Sequence, residues 1–239
     1  MKNLLCALLL AVSALFATPA QAETADTNVA VLYFENQGNP DLEPLKVGLA
    51  QMLITDLTGT PGVVMVERTQ LQAILNELDL GHSGKVDPDT AAQVGKLLGA
   101  EYMVLGTYFE MMGTLRMDAR LVRVETGEIV FAKGVNGKAA DFMDLQKELA
   151  ASFEVALAET QGAVIEKAPP VDVAPTEVDA EAVVAPDADE MAGALAFSAG
   201  LIHADQKDAP QARDAFEKAV AANPELEELA QTQLAMLEI

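Results

Sequence analysis

The sequence predicts an α/β protein in which helices pack on a mixed β-sheet in two or three layers. Short apolar runs typical of strands alternate with stretches of helical periodicity over residues 28–157. Residues 115–120 alternate strictly between apolar and charged side chains, as a strand with one wet face does. After residue 165 the pattern changes to an acidic, proline-broken linker and then an alanine-rich helical tail.

The first half of the domain predicts two strands, each followed by a helix. Residues 28–34 form a short apolar run rich in β-formers, which indicates a buried strand. Pro40, capped by Asn39, is predicted to begin a helix with apolar residues on one face. Residues 63–66 form the second strand, and Thr69 is predicted to cap the second helix.

The second half predicts a short helix, three strands and a long closing helix. The short helix begins at Pro88 and ends at Gly99, because glycine accepts the left-handed conformation after a last turn. Two strands then follow around a tight turn at Met112-Gly113. A further strand covers residues 129–135, and residues 142–157 carry the apolar stripe of the closing helix.

The strand after this turn has two different sides. Apolar and charged residues alternate along it, so they lie on opposite sides. The apolar side consists of Leu115, Met117, Ala119 and Leu121, and the charged side of Arg116, Asp118 and Arg120. The alternation slips at Leu121-Val122, which predicts a β-bulge or burial on both faces at that point. The strands therefore predict an antiparallel ribbon with one side under helices and one side in water.

The C-terminal third predicts a linker and a tail. Residues 166–189 contain scattered prolines among Ala, Val, Asp and Glu, a composition typical of a disordered acidic linker. Residues 190–239 resemble one tetratricopeptide repeat, with a generic alanine-rich helical hairpin as the alternative. The positions that carry this resemblance are Gly200, Ala212, Phe216, Ala219 and Pro224. Because stable stacks normally need about three repeats, we expect the tail to dock on its own domain, another copy or a partner helix.

Residues 1–22 have the pattern of a secretory signal peptide, with a membrane anchor as the alternative. Lys2 supplies the positive start, residues 4–16 the apolar run, and Ala20-Gln21-Ala22 the cleavage site. The only cysteine, Cys6, lies inside this segment, so the mature chain is predicted to hold no disulfide, thiolate metal site or cysteine nucleophile. No later stretch has 18 uninterrupted apolar residues, which argues against an integral membrane span.

Charge and histidine content argue against nucleic-acid binding and against catalysis. The formal net charge is −22, and a chain this acidic repels phosphate backbones. His82 and His203 are the only histidines and are not spaced as a metal-binding pair. The GHSGK stretch lacks the first glycine of a phosphate-binding loop, since position 79 is Asp79. We therefore predict a protein that is not an enzyme and that has no cofactor and no metal.

Four stretches of the main domain resemble the CsgG family of curli production assembly and transport components. They occur in the family's order and cover nearly all of residues 28–157. The Glu67-Arg68 pair and the GAEY stretch that begins at Gly99 are the most specific pieces. The fold is also similar to that of periplasmic penicillin-binding-protein activators and of the amino-terminal domain of TolB. The four stretches are NVAVLYFEN, VVMVERTQLQAIL, KLLGAEYMVLGTY and LRMDARLVRVETGEIV.

The resemblance implies a CsgG/TolB-N-like domain over residues 23–165 in a periplasmic protein cleaved after Ala22. It implies protein partners in the cell envelope and a non-catalytic binding or scaffold role in outer-membrane assembly or curli-type secretion. One alternative is an activator that binds a cell-wall synthase, and another is an oligomeric outer-membrane secretion pore. Homo-oligomerisation and peripheral association with the outer membrane both stay open.

Two departures from the family pattern bear on the pore. The best-known members are lipid-anchored and form an outer-membrane channel for amyloid fibre subunits. This sequence has no cysteine placed for lipidation, and its strands meet directly at Met112-Gly113 without room for membrane-spanning hairpins. We therefore expect the scaffold role, and not the pore-forming activity, to carry over.

Four residues are candidate interface residues. Glu67 and Arg68 are predicted to contact another subunit or a partner, with a local ion pair or helix start as an equally good alternative. Arg116 and Arg120 lie on the charged side of the ribbon and are the other two candidates.

Overall fold

The computed structural model describes residues 26–80, 88–160 and 188–237. The predicted signal peptide with its cleavage site, the loop that holds His82, and the predicted linker up to residue 187 lie outside the described residues. The strands are β1 (Thr27–Val31), β2 (Glu35–Asn36), β3 (Val63–Met65), β4 (Tyr102–Met111), β5 (Thr114–Arg123) and β6 (Ile129–Lys138). The helices are α1 (Leu45–Leu57), α2 (Arg68–Glu77), α3 (Pro88–Leu98), α4 (Phe142–Thr160), α5 (Ala188–Asp205), α6 (Ala209–Ala222) and α7 (Glu227–Met236). Short 3-10 turns precede α1, α4 and α7 at Pro40–Leu42, Ala139–Asp141 and Pro224–Leu226.

The strands form one mixed sheet, which confirms the predicted α/β class. Their order is β3-β1-β4-β5-β6, and β2 pairs with β4 next to the end of β1. β1 runs parallel to β3 and β4, whereas β4, β5 and β6 are antiparallel. Met112 and Gly113 both have positive φ, at 56° and 80°, as a two-residue hairpin turn requires. The register shift predicted at Leu121-Val122 is present between β5 and β6.

The start of the domain differs from the prediction in two local details. The hydrogen-bonded part of β1 ends at Val31, short of the predicted residue 34, and the chain pairs again as β2 at Glu35–Asn36. Between them Phe34 packs directly against the backbone of Gly106, so this segment follows the packing of its aromatic side chains. Asn39 does cap the turn at Pro40, because its side chain accepts a hydrogen bond from the Asp41 N–H at 3.0 Å.

The second helix begins two residues earlier than predicted. α2 starts at Arg68, and Glu67 occupies the N-cap position without a side-chain hydrogen bond. Thr69 was predicted as the cap, and that prediction is wrong. Arg68 is buried and bonded to residues of other elements, so tertiary contacts decide where this helix starts.

Helices cover the two faces of the sheet unequally. The apolar face of the ribbon lies under α1 and α4, where Leu145 packs against Gly137 and the Tyr108 hydroxyl donates to the Leu42 carbonyl at 2.7 Å. On the opposite face, α3 packs its Gly95 against the side chain of Met103 in β4. The Leu115, Met117, Ala119 and Leu121 side of β5 is accordingly buried.

The tail forms an antiparallel helical hairpin that extends the core. Gly200 of α5 lies against the ring of Phe216 of α6, and the rings of Phe197 and Phe216 are 5.6 Å apart. The small and aromatic positions noted in the sequence, Gly200, Ala212, Phe216 and Ala219, are all buried. The assignment as a tetratricopeptide repeat stays a prediction.

Helix α1 shows the largest departure from the sequence-based picture. One apolar face was predicted for it, but nearly every residue of α1 is buried, including Lys46 and Gln51. The reason is that α1 lies between the sheet on one side and α5 on the other. A helix that is buried on all sides needs small residues as well as large ones, and Gly48 and Ala50 supply them.

Candidate functional site

The four candidate interface residues lie on opposite sides of the sheet. Glu67 and Arg68 are at the start of α2, next to α1 and α5. Arg116 and Arg120 are on the face of β5 that points away from α1 and α4. The structure therefore contains two separate places to consider, which we call the tail junction and the ribbon face.

The tail junction is built around Arg68, which is only 2% exposed. Its guanidinium donates to Asp205 Oδ2 at 2.6 Å, to Gln51 Oε1 at 3.2 Å and to the Tyr33 hydroxyl at 3.4 Å. The Tyr33 hydroxyl in turn donates to Gln72 Oε1 at 2.6 Å. These contacts join the loop after β1, α1, α2 and the last residue of α5 in one buried network.

The protonation states of this network follow from burial and pairing. Burial acts to lower the pKa of Arg68, but the hydrogen bond that Arg68 donates to Asp205 and the proximity of Tyr33 outweigh it, so the pKa is raised. Burial raises the pKa of Tyr33 to about 12, against the opposing effect of the Arg68 charge. Arg68 is therefore charged and Tyr33 neutral at ordinary pH, which is what their hydrogen bonds require.

Close packing and two further polar contacts hold the tail to the domain. Gly48 of α1 lies so near α5 that a Cβ there would overlap Ser198 Oγ. Lys147 of α4 pairs with Glu225 at 2.7 Å, and the Met143 N–H donates to Glu190 at 3.4 Å. Of the three docking modes expected for the tail, the structure shows docking on its own domain.

A groove of about 380 Å³ runs between α1, α4 and α7 beside this junction. Three of its four charged residues already have partners, because Gln146 donates to Asp56 at 2.7 Å and Lys147 pairs with Glu225. The groove is thus part of the tail contact.

The ribbon face is the side of β4, β5 and β6 opposite α4. None of its residues is buried, whereas most residues of the other side are. Leu105 and Phe109 on β4 are half-buried and Met111 is 62% exposed. The ribbon face comprises Leu105, Thr107, Phe109, Met111, Thr114, Arg116, Asp118, Arg120, Ala132, Gly134, Asn136 and Lys138.

The two arginines of the ribbon face differ in their contacts. Arg116 donates twice to Asp118, at 2.7 and 2.6 Å, and this hydrogen-bonded pair raises the pKa of Arg116. The pair lies over Gly134, where a Cβ would come within 2.6 Å of Asp118 Oδ1. Arg120 is exposed, and within the described part of the chain its side chain has no hydrogen bond or ion pair.

A small apolar pocket opens at the end of the ribbon face next to Arg120. Its volume is about 100 Å³. Arg123 also lines it and lies 5.7 Å from the centre of the Tyr102 ring and 3.7 Å from Glu128. The apolar lining comes from α3, β4 and β5, chiefly Ala91, Ala92, Met103, Leu105 and Val122.

Sequence reasoning missed the partners that give these arginines their roles. Asp205 lies in the tail, 137 residues from Arg68, and nothing in the local pattern distinguishes it from other acidic residues. The sequence marked a slip at Leu121-Val122, and Arg123, which follows the register shift found there, lies at the pocket. The interface roles of Glu67, Arg68, Arg116 and Arg120 stay predictions.

Two further observations concern metals and membranes. Over residues 26–80, 88–160 and 188–237, no group of three or more His, Cys, Asp or Glu side chains is arranged to hold a metal ion. None of the helices in these ranges combines the length and apolarity needed to cross a bilayer.

Comparison with known proteins places this geometry in context. Comparison with curated protein sequences gave no match. Among solved structures, the LpoB C-terminal domain from Salmonella enterica is similar, with 20% identity, 50% of this chain and 87% of that chain covered, and a TM-score of 0.41. TolB from Acinetobacter baumannii is similar with 15% identity, 56% of this chain and 28% of that chain covered, and a TM-score of 0.38. A PelC dodecamer from Paraburkholderia phytofirmans is similar with 16% identity, 59% of this chain and 91% of that chain covered, and a TM-score of 0.31.

The family comparison concerns the first part of the chain. The model of the curli production assembly/transport component CsgG matches residues 12–112. The matched segment includes β1 to β4 and the Glu67-Arg68 and GAEY stretches that carried the resemblance in the sequence. This segment is less than half of the chain, and over it the chain is similar to the CsgG family.

Proposed function

We propose that this protein is a non-catalytic periplasmic component that binds or scaffolds other proteins during outer-membrane assembly or curli-type secretion. The similarity of residues 12–112 to the CsgG family supports the cellular process. The observation that carries the binding role is the ribbon face, which has helices on its back and on which no residue is fully buried.

The composition of the ribbon face is that of a protein-binding surface. Aromatic residues, methionine and arginine are enriched at protein interfaces, and this face presents Phe109, Met111, Arg116 and Arg120 together. Its one carboxylate, Asp118, is engaged by Arg116, so it is already neutralised by its neighbour. Recognition therefore suits this surface better than proton transfer does.

The periplasmic location rests on the signal-peptide pattern of residues 1–22. We expect the mature chain to begin at Glu23 and to be released with the periplasmic fraction. Intact-mass measurement of the protein recovered from fractionated cells checks both. Recovery of the full-length chain in the cytoplasm would refute the proposed location.

Site-specific photo-crosslinking in whole cells tests the binding surface. A photoreactive amino acid replaces Asn136, which is exposed on the ribbon face, and in a matched control it replaces Glu217, which is exposed on α6. We expect a crosslinked envelope protein from position 136 and not from position 217. An outer-membrane secretion component or fibre subunit as the captured protein supports the proposal.

Other outcomes of the crosslinking experiment argue against it. Capture of a cell-wall synthase would replace the secretion role by the activator role. A crosslink between two copies would identify the ribbon face as a homo-oligomer contact. Capture from position 217 alone would move the binding surface to the tail.

A further inference from the structure

The pocket beside Arg120 has features that the rest of the ribbon face lacks. It is a concave apolar site between Ala92 of α3 and Leu105 and Val122 of the sheet. Its volume of about 100 Å³ is well below the roughly 300–1,000 Å³ of sites for cofactors and small molecules. Since an engineered cavity of about 150 Å³ admits benzene, a site of this size suits one aliphatic side chain such as leucine.

Two guanidinium groups stand at this pocket, and one of them is available. Arg123 is partly compensated by Glu128 at 3.7 Å, whereas Arg120 is exposed and has no partner among the described residues. The chain as a whole carries 37 acidic and 15 basic residues, so an acidic partner meets repulsion over most of the surface. The pocket therefore pairs an apolar recess with a local positive charge.

We propose that this pocket binds one aliphatic side chain of a partner polypeptide whose neighbouring carboxylate is held by Arg120. The ligand class is an acidic peptide segment with an aliphatic anchor, and charge complementarity at Arg120 is the reason for choosing it. The four rows of ribbon-face residues that continue from Arg120 towards Met111 give such a segment a surface to lie on. The assignment deepens the proposed function, since it names the chemistry of the partner.

Fluorescence anisotropy with defined peptides tests the site on the purified mature chain. The probe is a fluorescein-labelled Asp-Glu-Leu-Asp-Glu peptide, and the two control peptides replace leucine by alanine or all four acidic residues by lysine. We expect only the probe to bind, and to bind more weakly as salt is added. Equal binding of the alanine peptide would refute the pocket, and equal binding of the lysine peptide would refute the role of Arg120.

Variants of the protein test the apolar pocket and the charge of Arg120 separately. Arg120→Ala is expected to weaken probe binding about tenfold, the loss typical of one charge-assisted hydrogen bond. Lys218→Ala removes the same charge from an exposed pair on α6 and is expected to leave binding unchanged. Ala92→Leu fills the pocket from α3 and is expected to abolish binding, with circular dichroism checking that it folds. Equal affinities for the Arg120 and Lys218 variants would overturn the proposal whether or not the Ala92 variant folds.

Competition identifies other occupants. Tighter binding of laurate than of the probe would assign the pocket to an acyl carboxylate. Self-association that Arg120→Glu removes would assign it to a second copy. Either result overturns the polypeptide assignment.

The peptide experiment tests the pocket and the cellular experiment tests the proposed function, so either can be refuted without the other. If the probe does not bind but crosslinking from Asn136 captures a secretion component, the pocket is refuted and the proposed function stands. If the probe binds but the chain is found in the cytoplasm, the pocket stands and the proposed function is refuted.

Discussion

Arg68 and Arg120 are the same residue type on opposite sides of one sheet, and they are in opposite states. Arg68 lies under α1 and the tail, is 2% exposed and donates to three side chains. Arg120 lies on the ribbon face, is exposed and has no described partner. The difference shows that coverage by a distant part of the chain, and not the local sequence, decides whether an arginine supports the fold or is available for binding.

The tail junction depends on the buried ion pair of Arg68 and Asp205, so removing one partner should have the largest effect on stability. For Asp205→Ala we expect the free energy of unfolding to fall by about 3–5 kcal/mol, because the buried Arg68 charge loses its counter-charge. Urea denaturation followed by circular dichroism measures this. Asp214→Ala is the matched control, since it breaks an exposed pair with Lys218. Similar losses in the two variants would show that the tail junction is not tightly buried in solution.

Close packing of α5 on α1 gives the next effect. For Gly48→Ala we expect a loss of about 1–3 kcal/mol, since the new methyl group overlaps Ser198 Oγ and forces the helices apart. Adding Ser198→Ala should restore part of the loss in the same denaturation experiment. A stabilising effect of the single change would mean that the two helices are not in contact there.

Alkaline pH should lower the stability of the tail junction through ionisation of Tyr33. Its pKa is raised by burial to about 12 from about 10 in the unfolded chain. The neutral form thus contributes stability that is complete below pH 10 and is lost as pH rises through 12. At pH 8, Tyr33→Phe should cost about 1 kcal/mol for the lost bond to Gln72. We expect this difference from the wild type to shrink when denaturation is repeated at pH 11, and a constant difference would contradict the assigned pKa.

A substitution on the ribbon face should have the smallest effect on stability. For Arg116→Ala we expect a change of about 0–1 kcal/mol, because its pair with Asp118 is partly exposed and local to one strand. Thermal unfolding of this variant beside Asp205→Ala compares the two sides directly. A loss as large as that of Asp205→Ala would mean that the ribbon face is covered in solution.

Much of the α/β fold could be predicted from local patterns. The alternation in Leu115 to Leu121 indicated which side of β5 is buried, and the slip after it marked the bulge. Gly99, with φ of +66°, ends α3 as predicted. Such features are set by backbone conformation and burial over a few residues, so a short stretch of sequence contains them.

The different contacts of the two arginines were decided by tertiary structure. Sequence indicated that Arg68 and Arg120 were of interest, but it gave them the same interface role and did not distinguish them. Only packing brought Asp205 to Arg68, buried α1 on both sides and placed Ala92 over the sheet beside Arg120. The physical reason is that these contacts join residues far apart in the chain. Their energies depend on how whole helices dock, and the periodicity of apolar residues in a short stretch does not contain that information.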